Sequence, residues 1–325
     1  MRVLVSSTHH FPALTETGSG LAPKPFPSGS GYLVHDLMVR GLAELGHEVS
    51  YLVPHTQGDH PTPGVALVSE PNYEADILHT ISDRDEELVR EWQSRGKPFV
   101  TTCHLDPRAR GNERLPSTEN WIFVSRTLAQ LYGRDRFVLN GIDPAEYFFS
   151  EVKDDYLLFM STMDWGFSKG LDVVLSLSAR LGFKLVVAGT GKDCESIEAV
   201  ADMCCKVGAD YVGDVRGSAK AELLAGARAF LFPTKLDEAF GLGMVEALMS
   251  GTPVICSDRG ACPEIISPDV GFVCRDQQDY VSAISRIDSI SPQACRDKAM
   301  DQYHYLRMAA GYASEYEKET AKNEH

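Results

Sequence analysis

Two glutamates, Glu238 and Glu246, stand with seven residues between them in the stretch TKLDEAFGLGMVEALMSGTPVICSD, residues 234–258. Phe240, Gly241 and Leu242 lie in the gap, and an apolar helical pattern runs from Leu242 to Met249. Ahead of them Ala229–Phe232 (AFLF) reads as a strand, and residues 233–239 leave its carboxyl end. A helix beginning at Gly241 or Leu242 presents first-turn amides that lack intrahelical partners, together with the positive end of its dipole, and both favour a phosphate. Glu246 lies a turn further in, with its side chain leaning back toward that end. A carboxylate there accepts hydrogen bonds from two vicinal hydroxyls, as a ribose offers them. Glu238 accepts from hydroxyls of whatever the phosphate carries. Two polyol acceptors around an anion site describe a receptor for a nucleoside diphosphate bearing a sugar. The plainer alternative is an exposed helix residue and a helix-start acid favoured by the dipole.

Other residues have suitable types and places. Lys169 precedes a helical pattern in the loop after a strand-like run. Gly29, Ser30 and Gly31 precede the first helical pattern, where bare backbone approaches phosphate closely. His104 ends a strand, and His79, His9 and His10 are weaker candidates for acceptor contacts. Each has a structural reading beside the functional one: a surface lysine, a linker glycine, a satisfied histidine. Gly189-Thr190-Gly191 lacks the third glycine of a dinucleotide fingerprint, and the first strand carries no such motif, which disfavours a dehydrogenase. Asp83-Arg84-Asp85 reads as a helix cap with acids in the first turn rather than as a metal site. No carboxylate pair is placed as a glycosidase dyad. None of the eight cysteines forms a C-x-x-C or a zinc-ligand spacing. Most read as small buried hydrophobes, and reduced thiols in a cytoplasmic protein fit best.

These residues need a scaffold, and the pattern supplies one. Strand-like runs at residues 3–6, 48–53, 76–79, 99–102 and 121–124 are followed by a second series at 156–160, 184–188, 229–232, 253–256 and 271–274. Helical patterns such as 31–45, 86–93, 171–181 and 242–249 alternate with them. This alternation predicts α/β architecture with doubly wound parallel sheets covered on both faces. Turn residues in NGIDPAEYFFSEV mark a boundary. The expected organisation is a domain over 1–147, a second over 148–300 and a strand-free helical end over 301–325. Ligands in such sheets bind beyond the carboxyl ends of the strands, so the expected site lies between the two halves. Residues 12–31, rich in Gly, Pro and Ser, read as a mobile loop.

A formal charge of −15 disfavours a general nucleic-acid binder and, more weakly, docking on anionic lipid. No apolar run approaches the roughly 18 residues of a membrane helix. The opening MRVLVSSTHHFP is too short in its apolar part for a secretory signal, and Met1 reads as the start of the folded protein.

The stretch FPTKLDEAFGLGMVEALMSGTPVICSDRGACPEII resembles the E-x7-E donor-binding signature of the retaining family 4 glycosyltransferases. SGSGYLVHDLMVRGLAELGHEV resembles that family's glycine-rich first loop and helix. ADILHT, FVTTCH, FVSRTLAQLYG, FVLNGID, KLVVAGTGKD and YVGDVRGSAKAELLAGARAFLFPT resemble its later segments in order. The resemblance implies a GT-B fold of two Rossmann-like domains, the last helix crossing back to the first. It implies a nucleotide-diphosphate sugar donor, UDP- or GDP-linked, a sugar or small-molecule acceptor, and no metal or other cofactor. By resemblance Lys169, Glu238 and His104 serve catalysis, and Ser30, Gly31, Val215, Phe240, Gly241, Leu242 and Glu246 bind the donor. The family also places an arginine near its lysine. Here Ser161-Thr162 stand where Gly-Arg is expected, and Arg216 or Arg259 is the candidate to replace it. That departure leaves open a nucleotide-sugar-binding protein without turnover, and a GT-B epimerase remains a further alternative.

Overall fold

The computed structural model describes residues 1–7, 10–11, 30–53, 55–56, 63–81, 86–106, 119–163, 167–189, 191 and 193–322. The described residues up to Asp143 and from Gln302 form one compact unit, and Pro144–Asp301 form the other.

In the first unit the chain runs β1 (Arg2–Ser6), β2 (His10–Phe11), α1 (Ser30–Glu44), β3 (Glu48–Leu52), β4 (His55–Thr56), β5 (Val65–Val68), β6 (Ile77–Ile81), α2 (Glu86–Ser94), β7 (Phe99–Cys103), β8 (Trp121–Phe123) and α3 (Arg126–Leu131). A parallel sheet has the order β5-β3-β1-β6-β7-β8, and β2 pairs separately with β4. Strand β6 is buried along its whole length, as a central parallel strand covered on both faces must be.

The second unit continues with β9 (Leu157–Met160), α4 (Leu171–Leu181), β10 (Leu185–Ala188), α5 (Cys194–Val207), β11 (Asp210–Tyr211), α6 (Gly217–Gly226), β12 (Ala229–Phe232), α7 (Leu242–Met249), β13 (Val254–Ser257), α8 (Cys262–Ile265), β14 (Gly271–Cys274), α9 (Gln277–Arg286) and α10 (Pro292–Gln302). Its parallel sheet has the order β11-β10-β9-β12-β13-β14. Counted by position, both sheets have the doubly wound order 3-2-1-4-5-6, so each carries its own strand-order reversal.

The last helix, α11 (Tyr305–Lys322), belongs to the first unit. Tyr305, Met308, Ala309, Tyr312, Ala313 and Tyr316 form its buried stripe at three- and four-residue steps. It lies so close to α1 that a Cβ on Gly41 would stand 2.7 Å from the Ala309 Cβ. Arg136 reaches across to Glu315 and, at 2.8 Å, to Glu319. The expected strands appear with shifts of at most two residues. The additional short strands β5 and β11 are only partly buried, which weakened their apolar signal.

Candidate active site

In the second unit β9 and β12 flank the point where strand order reverses, and in such sheets that is where ligands bind. Three loops leave the carboxyl ends of β9, β12 and β13 there. They are stitched together by backbone. Lys235 N–H donates to the Ser168 carbonyl at 2.8 Å, and Ala261 N–H donates to the Glu238 carbonyl at 2.8 Å. Gly170 has φ 92° and Gly260 φ 53°. A Cβ on Gly170 would stand 2.2 Å from the Pro233 carbonyl oxygen, and one on Gly260 would stand 2.3 Å from the Glu238 nitrogen and oxygen. No larger residue fits either junction without moving a loop.

Glu238 sits where these loops meet. Its Oε1 accepts from the Lys169 ammonium and, at 3.0 Å, from Thr234 Oγ1. The sequence assigned Lys169 and Glu238 to separate tasks; the structure brings them into one ion pair. Helix α7 starts four residues on. Its N-cap is Gly241 at φ 95°, a left-handed conformation, and no side chain caps it. At the far end Gly251 N–H donates to Leu248 O at 2.9 Å and Thr252 N–H to Ala247 O at 2.8 Å, closing the helix at the SGT turn. Phe240 is buried, while Gly241 and Leu242 are partly exposed.

Glu246 is buried at 8% exposure, so the exposed-helix alternative does not hold. Its Oε1 accepts from Tyr147 Oη at 3.0 Å and from Lys220 Nζ at 2.7 Å. Neither partner was singled out from the sequence. Lys220 had one available signal, a lone cation within the small, apolar run of α6, GSAKAELLAG. Tyr147 follows a single 3-10 turn, Pro144–Glu146, and carried no signal.

Of the two candidate replacement arginines, Arg216 is engaged: its Nε donates to Asp214 Oδ2 at 2.6 Å. Arg259 is exposed, and its guanidinium has no partner among the described residues. Val215 is half-buried after β11, in a loop held by Gly189 N–H to Gly213 O and Tyr211 Oη to Gly189 O, both 2.7 Å.

In the first unit Ser30 opens α1 and Gly31 follows. A Cβ on Gly31 would lie 3.4 Å from the His104 ring. His104 Nε2 is buried without a hydrogen-bond partner among the described residues, and burial lowers its pKa to about 4. The ring is therefore neutral at pH 7. His79 is different. Its Nδ1 lies 2.5 Å from Tyr316 Oη and its Nε2 2.6 Å from Thr102 Oγ1, and burial lowers its pKa to about 3. With both nitrogens occupied it serves the packing of α11. His9, Gly29, residues 82–85 and all of the 12–31 loop before Ser30 lie outside the described residues, as do the side chains of His10 and Ser30. Among the described residues no group of three His, Cys, Asp or Glu side chains is arranged to hold a metal ion.

Residues 154–288, which carry all three loops, match the family model described as Glycosyl transferases group 1. This segment is a group 1 glycosyltransferase domain. Glu238, Glu246, Lys169 and Lys220 lie within the matched group 1 domain. The O-antigen chain mannosyltransferase B of Escherichia coli is 28% identical over 142 residues, covering 43% of this chain and 35% of that protein. The chain spans 25% to 40% of the length of the curated relatives it matches. AviGT4, a glycosyltransferase involved in avilamycin A biosynthesis, shares the fold at TM-score 0.74 and 23% identity, over 99% of this chain and 98% of that one. HepE of Anabaena, solved with UDP-glucose, has TM-score 0.69 at 14% identity, over 98% of this chain and the whole of that one. The fold is thus that of GT-B glycosyltransferases, with two Rossmann-like sheets.

Proposed function

We propose that this protein is a retaining, metal-independent glycosyltransferase that moves a sugar from a nucleotide-diphosphate sugar to an acceptor hydroxyl in the cytoplasm. The observation that carries this reading is a buried carboxylate, Glu246, one turn inside a helix whose N-terminus no side chain caps. The α7 amides take the diphosphate, Glu246 takes the ribose hydroxyls and Glu238 orients the sugar. Lys169 turns from Glu238 to the diphosphate. The group 1 match and the names of its relatives support sugar transfer, and HepE's UDP-glucose supports a uridine donor, with a GDP-sugar as the other candidate. No helix among the described residues is long and apolar enough to cross a membrane.

In the reaction the bond from the anomeric carbon to the diphosphate oxygen breaks, and its electron pair leaves with the diphosphate. The acceptor oxygen bonds to the same face of that carbon and gives its proton to a phosphate oxygen. Lys169 and the α7 amides stabilise the charge gained by the leaving group. His104 is the first unit's candidate for a hydrogen bond to a sugar hydroxyl, because its ring is neutral and its Nε2 has no partner among the described residues.

A second reading is a nucleotide-sugar-binding protein without turnover, favoured by Ser161-Thr162 standing where an arginine is expected. One experiment separates them. UDP-, GDP-, ADP- and dTDP-sugars are screened by thermal shift, and the stabilising donor is incubated with an acceptor panel. Release of nucleoside diphosphate with an α-linked product from an α-linked donor supports the transferase. Binding without release with every acceptor supports the binder, and no thermal shift with any donor overturns both.

A further inference from the structure

Glu246 is held on one oxygen only. Tyr147 Oη at 3.0 Å and Lys220 Nζ at 2.7 Å both donate to Oε1, and Oε2 has no hydrogen-bond partner among the described residues. The three residues come from three separate pieces of chain: the turn that opens the second unit, the fourth position of α6, and α7. The Lys220 and Glu246 side chains are 27% and 10% exposed. Burying such a pair costs desolvation that the attraction only partly offsets, and an apolar pair of similar volume would serve packing as well or better. Fold stability alone gives no reason for a lysine here.

Counting lone pairs gives one. A carboxylate has about four acceptor positions, two on each oxygen. Tyr147 and Lys220 use those of Oε1. The two on Oε2 match the two protons of a vicinal diol. We propose that Lys220 and Tyr147 are positioning residues for ribose recognition: by fixing Oε1 they set the rotation of the Glu246 carboxylate and present Oε2 to the 2′- and 3′-hydroxyls of the donor nucleotide. This rests on the donor-site reading above and adds to it the residues that give the site its preference for ribose over deoxyribose.

The test is calorimetric titration of the full chain with UDP and GDP. The tighter binder of the two is then compared with its 2′-deoxy and 3′-deoxy forms. Wild type is expected to prefer the ribonucleotide by about tenfold or more, the scale of a hydrogen bond to a charged group. Lys220→Met and Tyr147→Phe are expected to weaken the ribonucleotide and leave both deoxy forms within about twofold, so that discrimination shrinks by about tenfold and about threefold respectively. Lys220→Arg restores part of it. A purely structural role moves all three ligands equally, and that result overturns the proposal. If Lys220→Met melts without a folded baseline, Tyr147→Phe decides alone on the same criterion. Failure of the donor-site reading looks different: wild type then binds neither UDP nor GDP, and both ideas fall. Discrimination abolished by Glu246→Gln but intact in Lys220→Met and Tyr147→Phe overturns this inference and leaves the donor site standing.

Discussion

The Lys169 ammonium is bonded to the Glu238 carboxylate across the strand-order reversal of the second sheet, one arriving from the loop after β9 and the other from the loop after β12. Side-chain exposures of 25% and 11% leave the pair accessible enough to be exchanged, yet shielded enough to matter. On the proposed function, a diphosphate at the uncapped end of α7 would compete with Glu238 for that ammonium, and the exchange would free a Glu238 oxygen for the sugar.

Lys169→Ala should therefore act on turnover more than on stability. Losing one preorganised donor to a developing negative charge costs about 10²–10³ in kcat. Losing a partly exposed ion pair costs about 1 kcal/mol or less. Steady-state kinetics beside a urea melt checks the split. An equal, small loss in both would place Lys169 outside the reacting groups.

Gly260→Ala tests the junction that holds Glu238. The new Cβ would stand 2.3 Å from the Glu238 backbone at a φ of 53°. Left-handed backbone alone costs about 1 kcal/mol for a non-glycine residue, and backbone atoms cannot yield as a flexible side chain does. The expected outcome is a destabilisation above about 1 kcal/mol together with a raised KM for the donor. Gly46→Ala serves as the control. Gly46 also has a positive φ, 87°, but its Cβ would meet nothing within 4 Å, so only the conformational cost should appear.

The acids were legible because both lie on one continuous loop–helix segment, where spacing alone fixes their relation to a helix end. Thr234 lay in the same stretch, but its bond to Glu238 depends on how the loop folds back. Tyr147 and Lys220 are 99 and 26 residues from Glu246, and only the strand order brings them to it. The alternation of runs gave the α/β class, since buried parallel strands are short and wholly apolar. Edge strands are not. Val65–Val68 is nowhere fully buried and Asp210–Tyr211 is two residues long, so neither shows a run to read. The histidines could not be sorted by sequence. His79 and His104 both end apolar strand segments, and only Tyr316, brought by α11, occupies the ring of one and not of the other.

Acid should destabilise the first unit through these two rings. Burial lowers the pKa of His79 to about 3 and of His104 to about 4, and neighbouring His104 and Arg136 push His79 the same way. The folded state keeps both neutral, whereas the unfolded chain protonates them below about 6.5. The unfolded state then binds more protons, so stability is complete above about pH 6.5 and falls as pH drops toward 4. Each ring contributes a slope of up to about 1.4 kcal/mol per pH unit. Urea melts between pH 7.5 and 4.5 should show the decline, and His79→Asn should remove close to half of its slope. A slope unchanged in that variant would assign acid sensitivity to other groups.

Arg136 anchors α11 by two acids at once. Glu315 and Glu319 are 11% and 10% exposed, Arg136 is 14% exposed, and the guanidinium beside Glu315 helps hold that carboxyl below its usual range against burial. Arg136→Met leaves two buried carboxylates without it, although Lys318 and Lys322 still reach them from the exposed side at 2.7 and 3.1 Å. Breaking a buried pair by removing one partner costs about 3–5 kcal/mol, and the remaining lysines should bring the loss toward the lower figure. Denaturant melts measure it. A loss below about 1 kcal/mol would mean that the lysines alone hold the helix.

On the proposed function, the two candidates to stand in for the arginine absent beside Lys169 differ in what each already does. Arg216 is bound to Asp214 two residues away, so moving it to a phosphate costs that pair. Arg259 is exposed, without a partner among the described residues, and next to Gly260, whose close approach to the Glu238 backbone ties its loop to the site. Arg259→Ala should weaken nucleoside diphosphate affinity by about tenfold, as expected for a lost charged hydrogen bond, and make binding less sensitive to salt. Arg216→Ala should leave affinity within about twofold, in line with an exposed pair. Titration of both variants at low and high ionic strength measures the two effects together. A larger loss in Arg216→Ala than in Arg259→Ala would mean that Asp214 gives up its partner when the diphosphate arrives.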